Sequence, residues 1–108
     1  MEFVMTCGIR NLLNEIQRSE VLKRHLSGDW GNVCKQDKKL NDEAILHGGR
    51  TLSVYTIDDK NVWVITESDK SVTTILLPDE YWYWYWIFEN DLDIIYIVNI
   101  VIFFVFIL

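Results

Sequence analysis

Hydrophobic residues recur at helical spacing from residue 8 to residue 47 and at every second position from residue 50 to residue 77. Ile9, Leu12, Leu13 and Ile16 fall on one helical face, with Arg10, Asn14 and Glu15 between them, which predicts a helix over 8–18. Ser19 is placed to cap a second short helix. There Val21, Leu22, His25 and Leu26 make the apolar stripe and Lys23 and Arg24 face water. The same pattern also fits one bent helix. Gly28 suits a left-handed stop. Gly28-Asp29-Trp30-Gly31 is a tight loop whose Asp29 is placed to cap the next helix. That helix is predicted over 33–47, with Val33, Leu40, Ala44 and Ile45 inward and Lys38, Lys39, Asp42 and Glu43 solvated. Gly48-Gly49 ends it.

Three runs rich in β-branched and aromatic residues follow, at 50–57, 61–67 and 71–77. Asp58-Asp59-Lys60 and Ser68-Asp69-Lys70 separate them as polar turns of hairpin length. Leu52 and Val54 alternate with Ser53 and Tyr55, and Trp63 and Ile65 with Val62, Val64 and Thr66. The expectation is a three-stranded antiparallel meander with Leu52, Val54, Trp63, Ile65 and Ile75 among the buried side chains. Pro78 stops the last strand. The fold class is α+β, with N-terminal helices packed on this meander.

The style of the chain breaks at Tyr81. Tyr-Trp occurs three times in succession, a short acidic patch follows, and 94–108 is apolar except for Asn99. Residues 1–81 therefore form the predicted domain and 82–108 an atypical hydrophobic tail. The apolar run is shorter than the ~20 residues that span a bilayer, although Tyr-Trp pairs suit a membrane interface. A membrane anchor, an aggregation-prone strand and an extension produced by readthrough or a frameshift are three readings of it. The third rests on the repeated dipeptide and on a tail rich in residues with AT-rich codons. Truncation after Tyr81 is expected to leave a folded, soluble domain.

The formal net charge is −6; residues 1–80 hold 10 basic and 13 acidic residues, and the tail holds three acids and no base. Neither part has the basic footprint of non-specific nucleic-acid binding. Cys7 and Cys34 are too few for a disulfide framework. No signal peptide is apparent, since Glu2 stands where a basic region would be and Met1–Met5 is short for a hydrophobic one. A cytoplasmic location follows for residues 1–81, with membrane association through 94–108 as the added option.

Chemistry is sparse. His25, Cys34 and His47, with Asp29 and Asp37, fit no zinc spacing. Cys34 and His25 with Asp29 are the one conceivable nucleophilic set. The structural alternative makes His25 a half-buried helix residue bonded to a loop carbonyl and Cys34 a small apolar packing residue. Asp29-Trp30 is either a recognition loop or a helix cap with an aromatic lid. Glu67, Asp69 and Lys70 are either a contact or acid–base site or a solvated hairpin tip. The candidate binding residues are thus Asp29, Trp30, Glu67, Asp69 and Lys70. No phosphate loop or hydrolase motif occurs, and no cofactor is implied.

Arg24-His25, Gly28-Asp29-Trp30-Gly31, Cys34, Asp37, Asn41, Gly49-Arg50, Leu52–Tyr55, Trp63–Glu67 and Ser71–Pro78 together carry a resemblance. The segment from Arg24 to Tyr81 resembles a family of short bacterial proteins found on plasmids, phages and other mobile elements. Its members are labelled plasmid-related proteins or type I restriction subunits. Lys70 and Gln36 depart from its pattern. A methyltransferase subunit needs a nucleotide pocket on a large parallel sheet, which 80 residues do not provide. The resemblance implies a mobile-element context and a small α+β fold, not a reaction. The expected function is a non-enzymatic protein-binding module with an unidentified protein partner. Anti-defence masking of a nuclease is one version of it. A small hydrolase using Cys34, His25 and Asp29, and a tail-anchored membrane protein, are the alternatives.

Overall fold

The computed structural model describes residues 1–81 and, in the tail, the backbone of Val105–Ile107. Helices and a mixed sheet make up the α+β fold. The order is β1 (Glu2–Thr6), α1 (Cys7–Leu12), α2 (Glu15–Leu26), α3 (Lys35–His47), β2 (Thr51–Ile57), β3 (Lys60–Thr66) and β4 (Val72–Leu76). In the sheet the strands run β2-β3-β4-β1. The β2–β3 and β3–β4 pairs are antiparallel, whereas β1 lies parallel to β4 with Phe3 opposite Thr73 and Met5 opposite Ile75. This corrects the expected three-stranded antiparallel meander: the sheet is mixed, and it includes the N-terminal strand. β5 (Val105–Ile107) pairs antiparallel with the free edge of β1. The rest of the tail, and with it the anchor, aggregation and readthrough readings, lies outside the described residues. Among the described residues no helix is long and apolar enough to cross a membrane.

Local chemistry sets the breaks. The predicted helix over 8–18 ends at Leu12, and Asn14, not Ser19, caps α2. Asn14 accepts from the Gln17 N–H at 2.8 Å, and the Gln17 side chain accepts from the Asn14 N–H at 3.0 Å. This reciprocal box outcompetes a continuous helix. Asp58 and Asp59 both take positive φ in the two-residue turn joining β2 to β3, the conformation that matches strand twist. Glu80 ties the end of β4 to the β1–α1 junction, accepting from the Thr6 hydroxyl and from the Leu77 N–H.

The core lies between the helices and one face of the sheet. Ile9, Leu13 and Val21 meet Met5, Tyr55, Val62, Val64 and Ile75 there. Register places Thr51, Ser53, Thr66 and Thr73 on this same face, since Thr51 opposes Thr66 and Thr66 opposes Thr73. The helix-facing set therefore includes four buried hydroxyl side chains beside the apolar core. Leu52, Val54 and Trp63, expected in the core, lie on the opposite face and are half-buried; Ile65 is buried on that face, and Ile75 is buried in the core. Tyr81 packs edge-on against Trp63 on that second face, at 5.4 Å between ring centroids. On α3 the inward residues are Asn41 and Ala44, while Leu40 and Ile45 are more than half exposed.

Among the described residues β2 is the outer strand, and its edge is covered without another strand. Asn41 grips Leu52 with its side-chain amide, donating to the carbonyl at 2.8 Å and accepting from the N–H at 3.0 Å. The Val54 N–H donates to the Trp30 carbonyl at 3.0 Å, and the Val54 carbonyl accepts from the Asn32 N–H at 2.7 Å. Gly31 sits between those two bonds with φ +72°, where a Cβ would lie 2.0 Å from the Val54 oxygen. Gly28 also has positive φ, +86°, but has open space around it. Gly31→Ala is therefore expected to cost about 3 kcal/mol or more, combining backbone strain with lost edge bonds. Gly28→Ala should cost about 1 kcal/mol, the left-handed penalty alone. Urea denaturation of the two variants measures this, and equal losses would rule out the edge-covering role of Gly31.

Candidate functional site: a cleft floored by a buried histidine

α2 carries His25 into the core face of the sheet, where it is 3 % exposed. Its Nδ1 lies 2.6 Å from the Ser53 hydroxyl on β2, and its Nε2 lies 2.8 Å from the Thr66 hydroxyl on β3. Thr66 bonds Thr73 on β4 at 2.7 Å, and the Thr73 hydroxyl donates to the Met1 sulfur at 3.0 Å. Taking the Thr73 hydroxyl as donor to the Met1 sulfur sets one direction for the chain. Thr73 donates to Met1, so it accepts from Thr66. Thr66 then accepts from Nε2–H, and Nδ1 accepts from Ser53. That direction corresponds to a neutral imidazole in its Nε2–H tautomer. Burial pushes the His25 pKa down to about 4, and the positive charge of Lys70 pushes in the same direction. Every buried side-chain nitrogen and oxygen among the described residues has a partner. The Thr51 hydroxyl is held most loosely, with its contact to His25 Nε2 at 3.5 Å.

His25 and Thr66 form the floor of a cleft of about 250 Å³, together with Thr51; Met1, Leu26, Trp30, Ile45 and Lys70 complete the lining. Trp30 stands edge-on to His25, with ring centroids 5.5 Å apart and planes at 76°. Its indole N–H donates to Asp42 on α3 at 2.9 Å. Met1, Leu26 and Ile45 are each more than half exposed. The cleft thus has a polar floor, an aromatic wall, an aliphatic rim and one cation at its edge.

The residues singled out from sequence divide. Trp30 and Lys70 line the cleft. Trp30 is 5 % exposed, as a lid over the histidine. Asp29 does not cap α3; Cys34 does, its sulfur accepting from the Asp37 N–H at 3.4 Å. Asp29 instead pairs with Arg24 at 2.7 Å and accepts from the Gly31 N–H at 3.2 Å. The Arg24 hydrogen bond, followed by that of Gly31, holds the Asp29 carboxyl below its usual pKa. Glu67 pairs with Arg50 at 3.2 Å, away from the cleft. Asp69 accepts from the Ser71 N–H and hydroxyl, the closed turn expected of a hairpin tip.

The proposed nucleophilic set does not assemble. Both nitrogens of His25 are bonded to strand hydroxyls, Cys34 is an exposed helix cap, and Asp29 belongs to Arg24. No group of three or more potential metal-ligating side chains is close enough to hold an ion among the described residues. Sequence reasoning placed His25 on the apolar stripe but missed its partners. The available signal was the row of hydroxyls at alternate strand positions, Thr51, Ser53, Thr66 and Thr73. Comparison of the chain with known protein families, curated proteins and solved structures finds no match.

The lowered pKa of His25 makes stability depend on pH. Below about pH 6.5 the unfolded chain takes up a proton that the folded protein refuses until about pH 4. Stability should therefore fall as pH drops through this window, by about 3 kcal/mol from this group. His25→Gln is expected to be less stable than the parent at neutral pH, and the gap should narrow toward about pH 4. Chemical denaturation across that range measures both proteins. Parallel pH profiles would show that His25 does not carry the dependence.

Proposed function

We propose that the protein is a non-enzymatic binding module that takes part of a partner protein into the His25 cleft. The single observation that carries this reading is the ring of exposed aliphatic side chains, Met1, Leu26 and Ile45, around a preformed cleft. Exposed apolar residues scattered singly are ordinary on a protein surface, but gathered around a concavity they suit contact with a partner. The buried imidazole serves this reading as a fixed floor. Its nitrogens are already engaged, so it gives shape rather than acid–base chemistry. The mobile-element setting implied by the resemblance, and an anti-defence role within it, belong to the same proposal. Along α3 the acids Asp37, Asp42 and Glu43 alternate with Lys35, Lys38 and Lys39. The contact surface we favour is therefore the aliphatic rim rather than an acidic face.

Leu26→Glu with Ile45→Glu should abolish partner capture while leaving the thermal midpoint close to that of the parent, since exposed substitutions rarely cost more than about 0.5 kcal/mol. Parallel affinity captures with parent and double variant test this. Bands lost only from the variant support the proposal, and an identical set of bands contradicts it.

A further inference from the structure

Resting on that reading, the chemistry of the cleft narrows its occupant. Among the described residues Lys70 is the only fully charged side chain in the lining, and no carboxylate accompanies it there. The ion pairs among the described residues are Arg24–Asp29 and Arg50–Glu67, and Lys70 is in neither. Lys70 takes φ +62° at the hairpin tip, a tight turn closed by its N–H bond to the Glu67 carbonyl at 2.9 Å. Thr51, 3 % exposed, touches His25 Nε2 only at 3.5 Å. That long contact is the weakest of the bonds around the imidazole, and Thr51 lines the cleft beside it. A cation and a loosely held hydroxyl therefore share one cleft with Leu26, Trp30 and Ile45.

We propose that the cleft captures the C-terminus of a partner polypeptide ending in an aliphatic residue. The terminal side chain packs on Leu26, Trp30 and Ile45, and the terminal carboxylate meets the Lys70 ammonium and the Thr51 hydroxyl. Size supports a chain end. The volume of about 250 Å³ is below the roughly 300–1,000 Å³ of pockets that enclose whole small molecules. In a terminal residue the carboxylate and the side chain branch from one carbon, so both anchors fit a short cleft. A free fatty acid would need an enclosed channel for its chain, whereas Leu26 and Ile45 here are open to solvent.

The full-length protein titrated with a fluorescent hexapeptide, Gly-Ser-Gly-Ser-Ile-Leu with a free carboxylate, tests this by polarisation. The same peptide as its C-terminal amide, and octanoate as competitor, are the other arms. Binding of the free acid is expected to weaken about threefold to tenfold in the amide, in Lys70→Gln and in Thr51→Val, and to weaken with salt. Lys70→Arg should retain it. Equal binding of acid and amide, both lost in Leu26→Glu with Ile45→Glu, would overturn the carboxylate assignment and leave the binding-module reading standing. Competition by octanoate without peptide binding, or no binding of either, would overturn the peptide assignment. The binding-module reading is judged separately by the capture experiment.

Discussion

A neutral imidazole buried between one helix and two strands sets the arrangement of this protein. His25 is the point where α2 meets Ser53 of β2 and Thr66 of β3, and Thr66 passes the chain on to Thr73 of β4. Without the ring, the Ser53 and Thr66 hydroxyls would each lose a partner, at about 1–3 kcal/mol for each group left unsatisfied. With it, the row of strand hydroxyls turns toward the helices and still forms a saturated interior. The same ring is the floor of the cleft, so the feature that orders the fold also shapes the surface proposed for binding.

A second constraint works beside it. The segment Asp29–Asn32 closes the outer edge of β2 through Trp30 and Asn32, and Asn41 of α3 closes the next position. Open edges invite pairing with other chains, and covering one with loop and side-chain bonds removes that hazard. The Tyr55 hydroxyl donates to the Asp29 carbonyl, and the Arg24 guanidinium lies 4.4 Å from the centre of the Tyr55 ring. Trp30 joins the two constraints. Its backbone pairs with β2, its ring stands against His25 and its indole N–H reaches Asp42.

Much of the fold was legible because local signals were strong. The helical stripe of α2, the glycine at its end and the turn at Asp58-Asp59 all announce themselves in sequence. What was hidden depended on distant partners. β1 is five residues long with no hairpin neighbour, and its partner β4 is about seventy residues away, so no local pattern marks it. The choice of sheet face failed for a related reason. Leu52, Val54 and Trp63 are the more apolar set, and apolarity alone points them inward. The structure turns Thr51, Ser53 and Thr66 inward because His25 supplies the bonds that make their burial tolerable. On α3, Leu40 and Ile45 were read as core, but Asn41 outranks them, since only an amide can satisfy both backbone groups of Leu52. The binding residues divide in the same way: Trp30 and Lys70 line the cleft, whereas Asp29, Glu67 and Asp69 serve local ion pairs and turns.

His25 acts as a neutral, buried link between helix and sheet rather than as a titrating surface residue. Nitrogen-15 NMR of the imidazole tests it most directly, because the shifts of Nδ1 and Nε2 distinguish both tautomers and the cation. A single Nε2–H tautomer is expected at neutral pH, with no protonation until about pH 4. A ring that averages between tautomers and titrates near the ordinary value of 6.5 would contradict it.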